Sequence, residues 1–290
     1  TFKVFMRYVA PLSSEEATNY LFSENGVSRV LAGGTDVLVQ MKSGIVEPDL
    51  IVDIKKIPGI REIIRLDKFY RIGAGVSGSE VKDNDELNKM VPGVVEALDL
   101  IGSTQIQGRC TMVGNLCNAS PAADSVPALV AVDAVVNIVG PDGKRSCKVE
   151  EIPIAPGKTS LRRGEFIVSV DIPIRENFSG DAYLRFTPRT EMDIAVVSAA
   201  VALTMTKEGI CESAKVVLGA VAPTVKIVDQ ASKVLIGTRL DKTSIDKLSQ
   251  LCIDACNPIS DKRGTVEFRT DVAGVLASRA AKIAYKRAGF

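Results

Sequence analysis

The sequence predicts an α+β protein: two subdomains, mixed α/β and then α+β, followed by a C-terminal α+β domain. A chain of 290 residues is too long for one small hydrophobic core. As far as Pro173, the sequence contains short apolar runs interspersed with helical patterns. From about Asp181, it predicts long strands followed by helices. We therefore expect the main boundary in the segment "IRENFSG" between these two residues.

The composition limits the possible functions. Apolar residues make up 46% and charged residues 24%, as in an ordinary globular protein. Because 36 Lys and Arg balance 35 Asp and Glu, broad binding to nucleic acid or to an anionic membrane is disfavoured. The longest apolar-rich run, residues 126–140, is too short to span a bilayer, and residues 1–17 lack a signal-peptide pattern. A cytoplasmic protein is expected.

The chain contains no histidine, and this absence narrows the chemistry. Ser-His-Asp catalysis, Cys-His catalysis and histidine-ligated metals are excluded within it. The six cysteines include no Cys-x-x-Cys pair, so disulfides and zinc are disfavoured, and the Cys252 to Cys256 spacing favours core packing on one helix face. We assign no catalytic residue and no metal ligand, and expect any redox chemistry to come from a cofactor.

The N-terminal elements follow from local patterns. Ser13 and Glu16 have capping-box spacing and predict a helix that runs to about Gly26. Two strands are predicted at "SRVLAG" and "PDLIVDI", with a helical segment "VLVQMK" between them. The segment "IREIIRLDKFYRIGAGV" predicts two short strands joined near residues 67–68.

The later elements are predicted in the same way. The segment "DELNKMVPGVVEALDLIG" is helical, and residues 102–134 read as buried loop backbone held by a ligand or by tight packing. A hairpin turns at residues 141–143, and the strand "GEFIVSVDIPI" follows. The C-terminal part predicts three strands and then two helices, in the segments "AYLRFTP", "IAVVSAAVALTMT", "ICESAKVVLGAVAP", "KTSIDKLSQLCIDAC" and "TDVAGVLASRAAKIAYKRAG".

The segment "VLAGGTDVLVQMKSG" is the first candidate binding motif. Gly33 and Gly34 permit backbone geometry closed to other residues and let a phosphate approach the amides. Thr35 and Asp36 then stand at the first turn of a helix, where free N–H groups attract anions. Since a carboxylate would repel a phosphate, the expected role of Asp36 is a helix N-cap.

A formal G-x-G-x-x-G occurs at residues 73–78 and calls for comparison with a dinucleotide-binding loop. Such a fingerprint opens a long helix and precedes an acidic strand end by about 20 residues. Here the segment "SEVKDNDELNK" follows, and Glu96 and Asp99 lie within a predicted helix. A strand end with a turn is the favoured interpretation.

Two further motifs are rich in polar groups. In residues 111–124, Asn115 and Asn118 carry amide donors and acceptors, Asp124 can accept from a hydroxyl, and Gly114 allows close approach. A polar loop that satisfies its own backbone is the alternative. Residues 185–195 carry charges of both signs at Arg185, Arg189, Glu191 and Asp193, which a solvated salt-bridged turn would also explain.

Taken together, these stretches resemble the FAD-binding medium subunit of the molybdenum hydroxylases, the xanthine dehydrogenase and carbon monoxide dehydrogenase family. The resemblance covers the whole chain, through "AGGTDVLVQMK", "DLIVDI", "TMVGNLCNASPAADSVPALVAVDA", "EFIVSVDIP", "RTEMDIAVVSAAVAL" and "FRTDVAGVLASRAAKIA". It implies FAD-binding subdomains at residues 1–57 and 58–176 and a C-terminal domain at 177–290. Several separate motifs in one order are more specific than any one of them.

The resemblance also implies the site. It assigns the pyrophosphate to backbone amides of residues 32–37 and the neighbouring polar groups of FAD to residues of 111–124. It places Ile167 against the flavin and a basic residue, Arg185, near the ring. The implied FAD-binding set is Ala32, Gly33, Gly34, Thr35, Asp36, Val37, Thr111, Gly114, Asn115, Asn118, Asp124, Ile167 and Arg185. Val113 departs from the family's usual glycine, and no cysteine-bearing insertion for an extra iron–sulfur cluster is present.

By resemblance, the chain is an electron-transfer subunit. It would take electrons from [2Fe–2S] clusters of a small partner subunit, beside a large molybdenum-cofactor subunit, in a dimer of heterotrimers. The acceptor would be NAD⁺, a quinone or another oxidant. One alternative is a stand-alone FAD-dependent oxidoreductase, although the absence of histidine disfavours the form with a histidyl-FAD bond. A scaffold that has lost its flavin is a second alternative, which Gly33, Gly34 and Asn115 disfavour.

Overall fold

The computed structural model describes residues 6–190 and 192–290; the first five residues and Glu191 of the third motif lie outside the described residues. The strands are β1 Arg7–Val9, β2 Ser28–Leu31, β3 Leu50–Asp53, β4 Ile63–Arg65, β5 Phe69–Gly73, β6 Val135–Gly140, β7 Gly143–Lys148, β8 Pro153–Ala155, β9 Lys158–Thr159, β10 Phe166–Pro173, β11 Ser179–Phe186, β12 Val197–Met205, β13 Cys211–Gly219 and β14 Lys226–Ile227. The helices are α1 Ser14–Ser23, α2 Val37–Lys42, α3 Gly78–Lys82, α4 Asp85–Met90, α5 Pro92–Asp99, α6 Thr104–Gln107, α7 Met112–Cys117, α8 Ser125–Ala131, α9 Asp229–Lys233, α10 Lys242–Asp254 and α11 Val266–Arg287.

The first sheet is parallel and has the order β1-β3-β2. The central strand β3 is buried along its whole length, as expected for an apolar run between two neighbours. Helix α1 ends at Ser23 rather than near Gly26, and its predicted capping box is half formed. Ser13 Oγ accepts from the Glu16 N–H, whereas the Glu16 carboxylate accepts from the N–H of Leu12.

The second sheet has the order β4-β5-β10-β6-β7 and is antiparallel. The predicted hairpin is confirmed, because Gly140 pairs with Gly143 across the turn. The G-x-G-x-x-G motif also lies where a strand end was favoured. A Cβ on Gly73 would lie 2.4 Å from the carbonyl oxygen of Ile60, so this glycine serves close chain packing. Ser77 and Glu80 then form a complete capping box at the start of α3.

The prediction of loop backbone over residues 102–134 is largely wrong, because this stretch forms the short helices α6, α7 and α8. Helix α7 is started by Thr111, whose Oγ1 accepts from the Gly114 N–H at 2.9 Å. In α8, Pro127 lies in the first turn, where its missing N–H costs no intrahelical bond. The small residues therefore mark closely packed helix ends rather than a loop.

The third sheet has the order β11-β12-β13-β14 and is antiparallel. Successive residues of β12 point to opposite faces. Ala200 and Ala202 join the core cluster of the N-terminal sheets, whereas Ala199, Val201 and Leu203 join the cluster beneath α10 and α11. Burial on both faces explains the nearly continuous apolar run in this strand.

The predicted core packing of Cys252 and Cys256 is confirmed, but their predicted placement on one helix face is wrong, because α10 ends at Asp254. Cys252 is fully buried in the C-terminal cluster, and Cys256 packs against that cluster. No helix among the described residues is both long enough and apolar enough to cross a membrane.

Candidate functional site

A cleft of about 760 Å³ lies where the first two sheets meet. Its walls are the loop between β2 and α2, the helix α7, and the segment that leads into β10. The predicted site residues in its lining are Ala32, Gly33, Gly34, Thr35, Asp36, Val37, Thr111, Gly114, Asn115, Asn118 and Ile167. Three segments that are far apart in the sequence therefore meet around one cavity.

The two glycines of the first motif are required by the backbone. A Cβ on Gly33 would lie 1.9 Å from the carbonyl oxygen of Arg109, so only glycine lets this loop contact the chain that precedes α7. Gly34 has φ of +81°, in the left-handed region. The glycine pair thus joins two walls of the cleft and turns the chain into α2.

This loop presents unpaired donors beside the cavity. Across the described part of the chain, the backbone N–H groups of residues 33–37 donate to no protein acceptor. Unpaired N–H groups that precede and begin a helix favour an anionic ligand. Lys55 Nζ supports the loop from behind, where it donates to the Ala32 carbonyl at 3.1 Å and to Asp53 Oδ1 at 2.7 Å.

The predicted capping role of Asp36 is wrong. Asp36 stands at the N-cap position, but its backbone is already helical, with φ of −98° and ψ of −54°, and its side chain makes no capping hydrogen bond. Side-chain capping requires an extended backbone at this residue. Its carboxylate instead lies at the cleft, where the surrounding protein raises the pKa of Asp36 by desolvation.

The α7 wall is held by its own side chains. Thr111 Oγ1 occupies the Gly114 N–H, and Asn115 Oδ1 accepts from Ser125 Oγ at 2.7 Å and from the Ser125 N–H at 3.2 Å. Asn118 Oδ1 accepts from Gln40 Nε2 of α2 at 2.9 Å. These hydrogen bonds fix the α7 wall, as expected from the alternative interpretation in which the polar side chains satisfy nearby groups of the protein. The same residues also line the cavity.

Asp124 and Arg185 do not line the cleft. Arg185 Nη1 donates to Asp124 Oδ2 at 2.7 Å, and the Tyr183 hydroxyl donates to Asp124 Oδ1 at 2.6 Å. Burial raises the pKa of Asp124 to about 6, although Arg185 and Tyr183 oppose the shift. This buried group connects the start of α8 to β11, so the structure brings these two residues to each other rather than to the cavity.

Two other described charges of the third motif, Arg189 and Asp193, pair with each other. Their nitrogen–oxygen distance is 3.4 Å, and the Arg189 side chain is exposed whereas that of Asp193 is largely covered, so the salt bridge of the turn interpretation is present. Val113, which replaces the family's usual glycine, is buried in the core cluster and also borders the cleft.

Sequence reasoning missed several residues that complete the lining of the cleft. Arg29, Ile101, Arg162 and Phe166 line it, and so does Gln40 of α2. These residues come from the edge of the first sheet, from the end of α5 and from the strand β10 with its approach. Gln40 lies inside the first motif and Arg29 directly before it, but the sequence did not mark either side chain as a ligand contact. No ligand motif was recognised beside Ile101 or Arg162, and the position of Ile167 pointed only to its neighbour Phe166.

Comparison with known proteins gives consistent matches along the chain. Residues 2–175 match the family described as the FAD binding domain in molybdopterin dehydrogenase, and residues 182–284 match the CO dehydrogenase flavoprotein C-terminal domain. The carbon monoxide dehydrogenase medium chain of Afipia carboxidovorans is 32% identical over 281 residues, which cover 97% of each chain. A putative xanthine dehydrogenase FAD-binding subunit of Escherichia coli is 26% identical over 287 residues, 98% of each chain.

Solved structures agree with these sequence matches. A chain of the reconstituted CO dehydrogenase from Oligotropha carboxidovorans superimposes with a TM-score of 0.93 at 32% identity, and 98% of each chain is covered. A chain of the quinoline 2-oxidoreductase from Pseudomonas putida 86 gives a TM-score of 0.91 at 26% identity over 99% of each chain. The similarity therefore extends over both the N-terminal and the C-terminal parts.

Proposed function

This chain belongs to the FAD-binding medium subunits of the molybdenum hydroxylases, and from that premise we propose that it is the electron-transfer subunit of such a complex. It would take electrons from [2Fe–2S] clusters of a small partner subunit and pass them to NAD⁺, a quinone or another acceptor. A large subunit with a molybdenum cofactor would oxidise the substrate, in a dimer of heterotrimers. Bound FAD supplies the redox chemistry that this histidine-free chain lacks.

The observation that carries the proposal is the run of unpaired backbone N–H groups at residues 33–37 beside the 760 Å³ cleft. Uncharged backbone donors suit a pyrophosphate, and a cavity of this size with apolar and polar walls suits a dinucleotide. We propose that residues 32–37 bind the pyrophosphate and that Thr111, Gly114, Asn115 and Asn118 form the facing wall. Ile167 would pack against the flavin.

Contact of Asp124 and Arg185 with the flavin stays a prediction. Their ion pair shields both side chains, so contact requires that they become accessible from the cleft. The subdomain limits at residues 57 and 176 also remain a prediction, which the extents of the three sheets support. A cytoplasmic location remains a prediction from the sequence.

The function is tested by producing the chain together with its natural neighbours, identifying co-purified proteins by mass spectrometry, and following flavin absorbance after substrate is added. We expect the chain to carry FAD that is reduced only when the iron–sulfur and molybdenum subunits are present. Flavin reduction by small organic substrates with the isolated chain would favour the stand-alone oxidoreductase instead. Absence of both partner subunits would contradict the proposal.

The location of FAD is tested by Gly34→Ala, with Gly237→Ala as a matched control. Both glycines have φ near +80°, but a Cβ at residue 34 also lies 3.0 Å from Leu31 and Leu38, whereas a Cβ at residue 237 meets nothing within 4 Å. Both variants therefore carry the left-handed strain of about 1 kcal/mol. We expect the FAD content after dialysis to fall at least severalfold in Gly34→Ala alone. Equal FAD content in the two variants would contradict this location.

A further inference from the structure

We propose that the segment 37–46, which we call the α2 arm, is a lid that closes over FAD in the cleft, and that Gln40 is the residue that positions it. The inference rests on the proposed location of FAD, and it adds a determinant of cofactor retention outside the glycine loop. The arm comprises α2 and the turn that follows it.

The arm is apolar but contributes almost nothing to the core. None of the six residues of α2 is buried. Leu38 is 50% exposed, Val39 62% and Ile45 76%, although such side chains usually lie inside a protein. A helix of six residues is too short to be stable by itself in water. The arm therefore depends on contacts made from outside it.

The polar contacts of the arm are mostly internal. The N–H groups of Ile45 and Val46 both donate to the Gln40 carbonyl, and Ser43 Oγ donates to the Val39 carbonyl at 2.9 Å. These bonds fold the turn back onto the helix, so that the arm moves as one unit. They do not fasten it to either sheet.

The bond from Gln40 to Asn118 fastens the arm to the opposite wall. Gln40 Nε2 donates to Asn118 Oδ1 at 2.9 Å, and Asn118 is the C-cap residue of α7. Asn118 Nδ2 lies 3.5 Å from Asp36 Oδ1, at the limit of a hydrogen bond. An amide–amide bond therefore bridges the two sides of the cavity next to the glycine loop.

The arm also offers a surface to a bound dinucleotide. Val37, Gln40, Ile45 and Val46 line the cleft, so a ligand there removes part of their apolar surface from water. Burial of this surface supplies the stabilisation that the arm lacks without a ligand. FAD binding and ordering of the arm are thus coupled, and the Gln40 bridge sets how readily the lid reopens.

The experiment compares Gln40→Ala, Asn118→Ala and the double variant in the full chain purified with its accompanying subunits. Loss of one neutral hydrogen bond corresponds to a rise of about threefold to tenfold in the FAD dissociation rate, which is followed by flavin fluorescence. Because both single changes break the same hydrogen bond, the double variant is expected to be no worse than Asn118→Ala, which also removes the contacts of Asn118 with the cleft and with Asp36. Lys42→Gln, an exposed change on the same helix, is the control and should release FAD at the wild-type rate.

Hydrogen exchange separates a lid from a merely structural helix. We expect the amides of 37–46 to exchange rapidly without FAD and to become protected when FAD is added, and the melting temperature of the flavin-free protein to be equal in wild type and Gln40→Ala. Protection of the arm that is equal with and without FAD, or that appears only with partner subunits, would overturn the lid. If the protein binds no FAD in the cleft, Gly34→Ala and wild type will behave alike, and the proposed location fails instead.

Discussion

At the scale of single residues, Asp36 shows how the environment changes the role that a sequence suggests. A carboxylate one residue before a helix is usually a cap, yet here the helical backbone of Asp36 prevents the capping geometry. The side chain is left beside unpaired N–H groups at residues 33–37. A negative charge close to a pyrophosphate site opposes ligand binding, and desolvation, which raises the pKa of Asp36, lets protonation remove this charge at a higher pH than for an aspartate free in water.

We therefore predict that FAD affinity falls as pH rises. Deprotonation of Asp36 adds one negative charge near the pyrophosphate, which is expected to raise the FAD dissociation constant by up to about tenfold as pH rises through the raised pKa of Asp36. Among the other titratable groups near this loop, Cys110 has a pKa of about 11 and stays neutral up to pH 7.5, and the pKa of Asp53 is lowered because hydrogen bonds from Lys55 and Tyr8 outweigh its desolvation. Fluorescence titration of Asp36→Asn should give a constant, low dissociation constant. The same pH dependence in both proteins would assign it to another group.

At the scale of elements, the two short helices α7 and α8 replaced the loop that the sequence favoured. Gly, Ser, Asn and Pro are typical of loops because they start or end helices. Several such residues close together also produce short capped helices. Here Thr111 starts α7, and Asn115 accepts from both donors of Ser125 at the start of α8. The local pattern predicts where the caps lie. It does not decide between a loop and short helices, because that choice depends on burial.

Removal of the α7 cap is predicted to destabilise this wall of the cleft. Thr111→Val keeps the shape of the buried side chain but leaves the Gly114 N–H without its acceptor, so the free energy of unfolding should fall by about 1 kcal/mol. Urea unfolding of the flavin-free chain measures this change. Thr111→Ser retains the hydroxyl and should lose much less; an equal loss in both variants would point to the methyl group rather than to the cap.

At the scale of the whole molecule, the N-terminal part and the third sheet are joined by the buried carboxyl group of Asp181 and by the more exposed side chain of Arg287. Asp181 of β11 accepts from the Gly93 N–H of α5 at 2.9 Å through Oδ2, while Oδ1 has no partner among the described residues. Arg287 of α11 donates to the Asp181 carbonyl and to Glu96 of α5. Burial raises the pKa of Asp181 to about 6, although Arg175 and Arg287 oppose the shift.

This carboxyl group is predicted to weaken the folded protein as pH rises. Because its pKa is about 6 in the folded protein and 3.8 for an aspartate free in water, its stabilising contribution is present below pH 4 and is lost as pH rises through 6. Asp181→Asn keeps an acceptor for Gly93 and does not ionise. Between pH 4 and 7.5, wild type should lose about 2–3 kcal/mol of unfolding free energy relative to the variant.

Urea unfolding of the flavin-free proteins at several pH values measures this difference. Asp124 titrates over the same range with a pKa of about 6, but it is present in both proteins and cancels in the comparison. If the free energy of unfolding changes with pH in the same way for wild type and Asp181→Asn, ionisation of Asp181 does not affect the stability of the protein.

The sequence by itself determined most of the longer strands and helices, the strand end and turn at residues 73–78, the reliance on a cofactor, and the family, because periodicity, turn residues and ordered motifs are local properties. Only the tertiary structure decided that Asp36 does not cap, that Asp124 pairs with Arg185, and that Gln40 meets Asn118. These outcomes depend on backbone angles and on contacts between residues distant in the chain. Such contacts form when the sheets pack, and no local pattern encodes them.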